Sequence, residues 1–392
     1  MPIYNVINVG QGDCIIIEPP DGCKYSSDKI IIDLGPGDRD VTKFIEETDA
    51  LHIFITHHHK DHLGGLRFFI DRFKQIKEII VPLYQNEITL IARAILNLKG
   101  INISRDCNEF INELKEIMRN QIELITLSRK EGLSPTISFA YENKELCNHM
   151  ICLNPPKYIN ASDLVNKANE NELKELMSEL FTNSFAEEMA AFFRAQIRGN
   201  YDRISYPNFY NYWLSSQYDY ERSVCLSKCN FVLSFIIDNL SLMRMFNTNS
   251  CRKNLNKIYT KYVEASHNVC IVLKTHYDNA TMLHTSDASK KVFNRLIKEG
   301  RDISVKYLKM PHHGSKHNIN KKILRAINPD VAIISHDNQH SGKSGDPHPN
   351  KETLKMLKEN NITILVTNDV IKDNFTIEPS KYFQNKYLKV CK

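Results

Sequence analysis

The run Thr56-His57-His58-His59-Lys60-Asp61-His62-Leu63-Gly64-Gly65 sets three histidines and an aspartate in the frame H-x-H-x-D-H. Neutral imidazoles are ligands for zinc, iron or manganese, and a carboxylate among them hardens the site and can orient a bound water. Four donors packed this closely crowd a single ion. Divided over two ions a few ångströms apart, they can hold a bridging hydroxide. The chemistry expected of His57, His59, Asp61 and His62 is therefore hydrolysis by a metal-activated water. The competing readings are a solvated histidine-rich loop and a single structural zinc.

Such a loop needs rigid elements on both sides. The apolar run Leu51 to Ile55 predicts a strand that ends at the cluster, and Leu63 to Phe73 predicts the helix that leaves it. Short β-branched runs broken by Gly, Pro or Asp predict strands at Val6 to Val9, Cys14 to Ile17, Ile30 to Ile32, Ile79 to Leu83 and Met150 to Leu153. An amphipathic helix is expected around Phe110 to Met118 and a strand over Ile122 to Leu127. Strands return at Val269 to Leu273, Thr281 to His284, Val305 to Leu308, Val331 to Ile334 and Thr363 to Val366, with helices over Lys290 to Glu299 and Lys351 to Asn360.

Between these two alternating parts the texture changes. Glycine nearly vanishes, charges almost balance, and helical patterns such as Asn171 to Phe181 and Ala186 to Ile197 dominate. Aromatic residues from Tyr201 to Tyr220 read as the core of a helical insert rather than as a lid or a base-stacking surface, because stacking platforms carry excess positive charge. The expected organisation is one α/β domain in two parts, residues 1–156 and 265–380, interrupted by a helical insertion at 157–264 and followed by a short basic tail at 381–392.

The chain has 392 residues, 42% hydrophobic and 25% charged, enough to bury a core. Its net charge of +5 tolerates an anionic substrate without announcing nucleic-acid binding. No apolar run approaches the roughly 18–20 residues of a membrane span, and the N-terminal residues lack a secretory pattern. A cytoplasmic location with reduced thiols is the expectation, and Cys225 and Cys229 read as one helical face rather than half of a zinc site.

The histidine block resembles the signature of the metallo-β-lactamase superfamily, and other stretches are similar to its subgroup related to the ComEC DNA-uptake protein. Val9-Gly10-Gln11-Gly12-Asp13 resembles that subgroup's opening strand and turn, and Ile30 to Gly35 its second strand, whose aspartate buttresses the metal loop. Leu283-His284-Thr285-Ser286-Asp287 resembles the segment supplying a bridging aspartate, with Ser286 where glycine is usual. Leu308 to Ser315 matches closely, as does Asp346-Pro347-His348-Pro349, with Asp346 where histidine is frequent.

The resemblance implies an αββα sandwich of two mixed sheets with metals at the edge where loops converge. It implies two divalent ions, Zn or Mn, held by His57, His59, Asp61, His62, Asp287 and His348, with Asp13, Gln11 and Asp33 supporting them. Asp61, His312 and His313 are the candidate catalytic residues, and Lys309 and Lys316 flank the last two with positive charge. His317, His336, His340 and His284 read as peripheral. The superfamily usually places one more histidine ligand between the block and the aspartate. His149 is the candidate for that position, without which the ion at His57 and His59 is short of a donor.

By that resemblance the activity is phosphodiester hydrolysis by a metal-bound hydroxide, on a nucleic acid or a nucleotide. The alternatives are hydrolysis of a small ester or phosphoester under the insertion as a lid, and a regulatory protein that docks a protein partner through the insertion.

Overall fold

Three isoleucines in succession, Ile15 to Ile17, are all buried, which requires a strand covered on both faces. Their packing divides by the strand's period of two. Ile15 and Ile17 join one hydrophobic cluster and Ile16 another, and Ile30 and Ile32 part from Ile31 in the same way. Every such strand separates an inner from an outer layer.

The computed structural model describes residues 2–83, 136–157, 266–277, 280–337, 348–368, 370–372, 375–377 and 387–390. The chain divides into two compact units, one of Met1–Gln85, Lys115–Pro156 and Ser266–Lys392, the other of Asn86–Leu114 and Lys157–Ala265. All described residues except Lys157 lie in the first. The expected insertion, its aromatic span, the helix at Phe110 to Met118, the strand at Ile122 to Leu127, and Cys225, Cys229, His340 and Asp346 lie outside the described residues.

The first sheet contains β1 (Ile3–Ile7), β2 (Ile15–Glu18), β3 (Lys29–Ile32), β4 (Leu51–Phe54), β5 (Ile76–Pro82), β6 (Thr136–Ala140) and β16 (Tyr387–Val390), ordered β16-β1-β2-β3-β4-β5-β6. Pairing is antiparallel from β16 to β3 and parallel from β3 to β6. The second contains β7 (Glu145–Cys147), β8 (Met150–Asn154), β9 (Val272–Tyr277), β10 (Ala280–His284), β11 (Tyr307–Lys309), β12 (Val331–Ile334) and β13 (Thr363–Val366) in the order β13-β12-β11-β10-β9-β8-β7. It too is mixed, parallel from β13 to β10 and antiparallel from β10 to β7. A short hairpin pairs β14 (Val370–Lys372) with β15 (Phe375–Ile377).

The inner cluster joins Tyr4, Ile15, Ile17, Ile30 and Phe54 of the first sheet to Cys152, Leu273, Tyr277, Met282 and Ile333 of the second. Outside the second sheet, the helices Lys290–Lys298, Lys321–Ile327 and Lys351–Glu359 bury Phe293, Leu296, Leu324 and Leu357. Outside the first, Leu63, Leu66 and Phe69 cover Ile31, Ile53 and Ile79. The fold is an α/β sandwich of two mixed sheets between helices.

Local differences from the sequence expectations have physical causes. The helix expected over Leu63 to Phe73 is one α-turn, Lys60–Leu63, continued as a 3-10 helix over Gly64–Gln75. Gly64 and Gly65 lower its α-helical propensity, and both press against the Leu34–Pro36 backbone. The strand expected at Val269 starts at Val272, because the Val269 N–H turns back to Ser266 and the Ile271 N–H goes to Thr56.

The inward face of the second sheet includes polar residues. His284, two residues beyond inward-facing Met282, stands 3.4 Å from Thr275 Oγ1, which also bonds the Tyr4 hydroxyl at 2.7 Å. Burial, aided by the charge of Lys309, pushes the His284 imidazole down to about 3. Its folded pKa thus lies below the unfolded value of about 6.5, so its contribution to stability is full above pH 6.5 and is lost as the pH falls toward 3. Between pH 6.5 and pH 5 the loss is about 2 kcal/mol. His284→Gln, which keeps a partner for Thr275, is expected to flatten the urea-midpoint profile across that window by about this amount. A slope equal to wild type would acquit His284.

Candidate metal centre

Parallel neighbours end together, so β3 and β4 in one sheet and β10 and β11 in the other deliver their following loops to one edge. Asp33 follows β3, Thr56 to His62 follow β4, Thr285 to Asp287 follow β10, and Met310 to Ser315 follow β11. Backbone bonds join these loops: Ile271 N to Thr56 O at 2.9 Å, His312 N to Ser286 O at 3.0 Å, and Asp13 N to Asp61 O at 3.2 Å. Gly12 permits the last contact, since a Cβ there would collide with the Asp61 carbonyl. Asp33, Ser286, His312 and His313 all have positive φ, between 46° and 60°. Non-glycine residues held there are a strain that the surrounding bonds must overcome, and such residues gather at functional sites.

Two groups of four donor residues converge. His57, His59, His267 and Asp287 form one, and Asp61, His62, Asp287 and His313 the other, each with its atoms within 4.8 Å of one another. Asp287 belongs to both, and its two oxygens divide between them. Oδ2 lies 3.8 Å from His57 Nε2 and 3.6 Å from His267 Nε2, while Oδ1 lies 3.4 Å from His62 Nε2. In the second group His313 Nε2 is 3.1 Å from Asp61 Oδ2, and its Nδ1 bonds the Ser335 carbonyl at 3.0 Å. Asp33 accepts from Thr56 N at 2.7 Å, Thr56 Oγ1 at 2.6 Å and His62 Nδ1 at 2.7 Å.

The donor set fits divalent cations. His62 Nε2, His267 Nε2 and Asp287 Oδ1 are buried and have no hydrogen-bond partner among the described residues, a costly state unless a cation satisfies them. Burial pushes His57 and His267 well below the usual imidazole range, which leaves neutral rings with a lone pair to offer. Burial acts the same way on His62, but Asp61, Asp287 and Asp33 outweigh it and raise that imidazole well above its usual range. Asp287 sits well below the carboxylate range despite its burial, because His312 and His62 face it. A pocket so rich in carboxylate favours positive charge.

The structure brings many of the residues singled out in the sequence to this edge and places others outside the two donor groups. His149 is in neither group; it bonds the His276 carbonyl and packs on Tyr277. The donor beside His57 and His59 is His267, which the sequence reading passed over. Its one signal was a histidine just ahead of an apolar run, a position that His149 shares. His348 is also in neither group. It packs against the His312 ring with centroids 5.0 Å apart, and His313 completes the second group instead. Lys309, expected to offer charge to an anion, is 1% exposed and bonds Asp13 Oδ2 at 2.7 Å. Inward-facing like Tyr307 two residues before it, its side chain points between the sheets. Lys316 bonds Glu352 at 2.8 Å. Gln11 Oε1 is 3.4 Å from Asp337 N.

His312 differs from its neighbour. It is 24% exposed against 1% for His313, and its Nε2 is 3.7 Å from Asp287 Oδ2. Asn318 donates through Nδ2 to the carbonyls of Asp287 and Ala288, both at 3.0 Å, so its Oδ1 is left to accept from His312 Nδ1 at 3.2 Å. That places the proton on Nδ1 and leaves the Nε2 lone pair on the side of Asp287 Oδ2.

Two mixed sheets with loop-borne histidines and aspartates grouped at one edge define a class of α/β metal-binding protein. Residues 7–95 match the family model of the metallo-beta-lactamase superfamily, a segment that carries Asp13, Asp33 and the whole histidine block. No curated protein matches the chain. The family match and the two donor groups together point to a metal-dependent hydrolase. Among the described residues, no helix is long and apolar enough to cross a membrane.

Proposed function

We propose that this chain is a phosphodiesterase or nuclease with a dinuclear site, related to the ComEC-like branch of the superfamily. The observation that carries the reading is the sharing of Asp287 between two donor groups, one oxygen to each. In this reading His57, His59 and His267 would hold one ion and Asp61, His62 and His313 the other, with Asp287 available to both. Bound zinc or manganese would polarise a phosphoryl oxygen and make water nucleophilic at neutral pH. Asp61, 28% exposed, is the ligand carboxylate best placed to orient that water. His312, 24% exposed, carries its lone pair on Nε2, so it would take a proton from the attacking water there and then pass it to the leaving oxygen. The phosphodiester preference rests on the resemblance of Leu308 to Ser315 and its neighbours to that branch.

The test joins metal analysis to turnover of bis(4-nitrophenyl) phosphate, single-stranded DNA, RNA and 4-nitrophenyl acetate with Mn²⁺ or Zn²⁺. About two equivalents of metal and ion-stimulated cleavage of the phosphodiesters are expected. Hydrolysis of the acetate alone transfers the assignment to small esters. Less than one equivalent, with no ion-stimulated turnover of any substrate, ends the dinuclear reading.

A further inference from the structure

We infer that Ser286 is a positioning residue which, with Thr56, connects the Asp33 carboxylate to His57, so that one buried aspartate sets the ring orientation at both metal positions. The inference rests on the dinuclear reading for its purpose, but its geometry is independent of it.

The chain of contacts is continuous and buried. Thr56 Oγ1 is 2.6 Å from Asp33 Oδ2, Ser286 Oγ is 2.6 Å from Thr56 Oγ1, and His57 Nδ1 is 3.2 Å from Ser286 Oγ. Each hydroxyl has one proton, and an ionised carboxylate can only accept. Thr56 therefore donates to Asp33, Ser286 donates to Thr56, and the Ser286 oxygen accepts from His57 Nδ1. The assignment leaves His57 with its proton on Nδ1 and a lone pair on Nε2, the atom that faces His59 Nδ1 at 3.1 Å and Asp287. His62 gives its own Nδ1 proton directly to Asp33 at 2.7 Å, which turns its Nε2 toward the second group. Asp33 thus acts on one histidine directly and on the other through hydroxyls, the Ser286 oxygen standing 3.2 Å from His57 Nδ1 and Thr56 Oγ1 3.3 Å from the same atom.

The backbone at Ser286 adds a second line of support. Its φ of 49° is one that glycine adopts without cost, so a serine there carries strain that a backbone requirement does not explain. The side chain must supply something glycine lacks, and its oxygen spans the gap from the β4 loop to the β10 loop. Thr56 has the same character: a methyl-bearing isostere without the hydroxyl would fill its space yet break the chain.

The experiment uses the full chain, first metal-free and then titrated. In the metal-free protein, long-range ¹H–¹⁵N spectra of the histidine rings are expected to show His57 in the Nδ1–H form. Ser286→Gly should mix its two tautomers while leaving His62 unchanged, and Thr56→Val should disturb both. Co²⁺ titration followed by visible absorption should then show one of two ions weakened about 10–100-fold in Ser286→Gly, the usual effect of removing a partner that orients a ligand. Thermal stability should hold or rise, since glycine relieves the positive φ. Thr56→Ser keeps the hydroxyl and should bind both ions as wild type does, which separates the relay from simple packing. A single His57 tautomer retained in Ser286→Gly, or undiminished binding of both ions by that variant, overturns the relay. Failure of the wild type to bind Co²⁺ overturns the dinuclear reading instead, and the metal-free spectra still decide the relay.

Discussion

Asp287→Asn is expected to lower the metal content from about two equivalents to less than one and to reduce phosphodiester turnover by at least roughly 10²–10³-fold. The size of the effect follows from where the carboxylate sits. One oxygen faces His62 and the other faces His57 and His267, so a single substitution removes charge from both donor groups. Asparagine keeps the shape and loses the charge, leaving Asp61 as the one carboxylate in the two donor groups. Folding should survive, because the hydrogen bonds that Asp287 and Ala288 accept from Asn318 go to their backbone carbonyls. His348→Ala serves as the contrast. Its ring packs on His312 outside both groups, so metal content should stay at the wild-type value. Loss of only one equivalent in Asp287→Asn would mean that the carboxylate serves one ion, and the shared-ligand geometry would have to be abandoned.

Much of this centre was visible in sequence because it is contiguous. His57, His59, Asp61 and His62 announce themselves within one loop, and the strand before them is an apolar run that ends at Ile55. Asp287 and the His312-His313 pair follow strands, and parallel strands carry loop residues to a common edge whatever their separation in the chain. What was hidden depends on three-dimensional register. Nothing local distinguishes His267 from His149, since both precede apolar runs of the second sheet. The bond from Ile271 N to Thr56 O and the contact between Ser266 Oγ and His58 Nε2 bring one of them to the β4 loop. The choice between His313 and His348 depends on backbone conformation, with His313 turned inward at φ 53°. The sheets themselves were legible from isoleucine runs, but β6, β7 and the helix Lys321–Ile327 were not: the strands are short or weakly alternating, and the helix has only seven residues.

Lys309 shows how far pattern alone can mislead. Next to the His312-His313 pair, a lysine reads as an anion-binding charge, whereas in the fold it lies between the sheets against Asp13, at 1% and 4% exposure. Its ammonium also donates to the Met310 carbonyl, and Asp13 holds the Gly35 N–H through its own carbonyl. The pair thus ties β11 to the glycine-rich loop that presses on Asp61. Removing one partner leaves the other charge buried, so Lys309→Met is expected to cost about 3–5 kcal/mol in denaturant unfolding. Asp13→Asn should cost a similar amount for the opposite reason, an ammonium without its anion. The double variant should recover most of the loss, because two neutral groups bury without an uncompensated charge. Substrate affinity separates the roles: a structural pair changes stability and leaves KM for bis(4-nitrophenyl) phosphate near wild type in any variant that still folds. A Lys309→Met protein of wild-type stability with a raised KM would return the lysine to the substrate. The geometry argues against that outcome, since a side chain buried between two sheets reaches an incoming anion only by giving up Asp13 first.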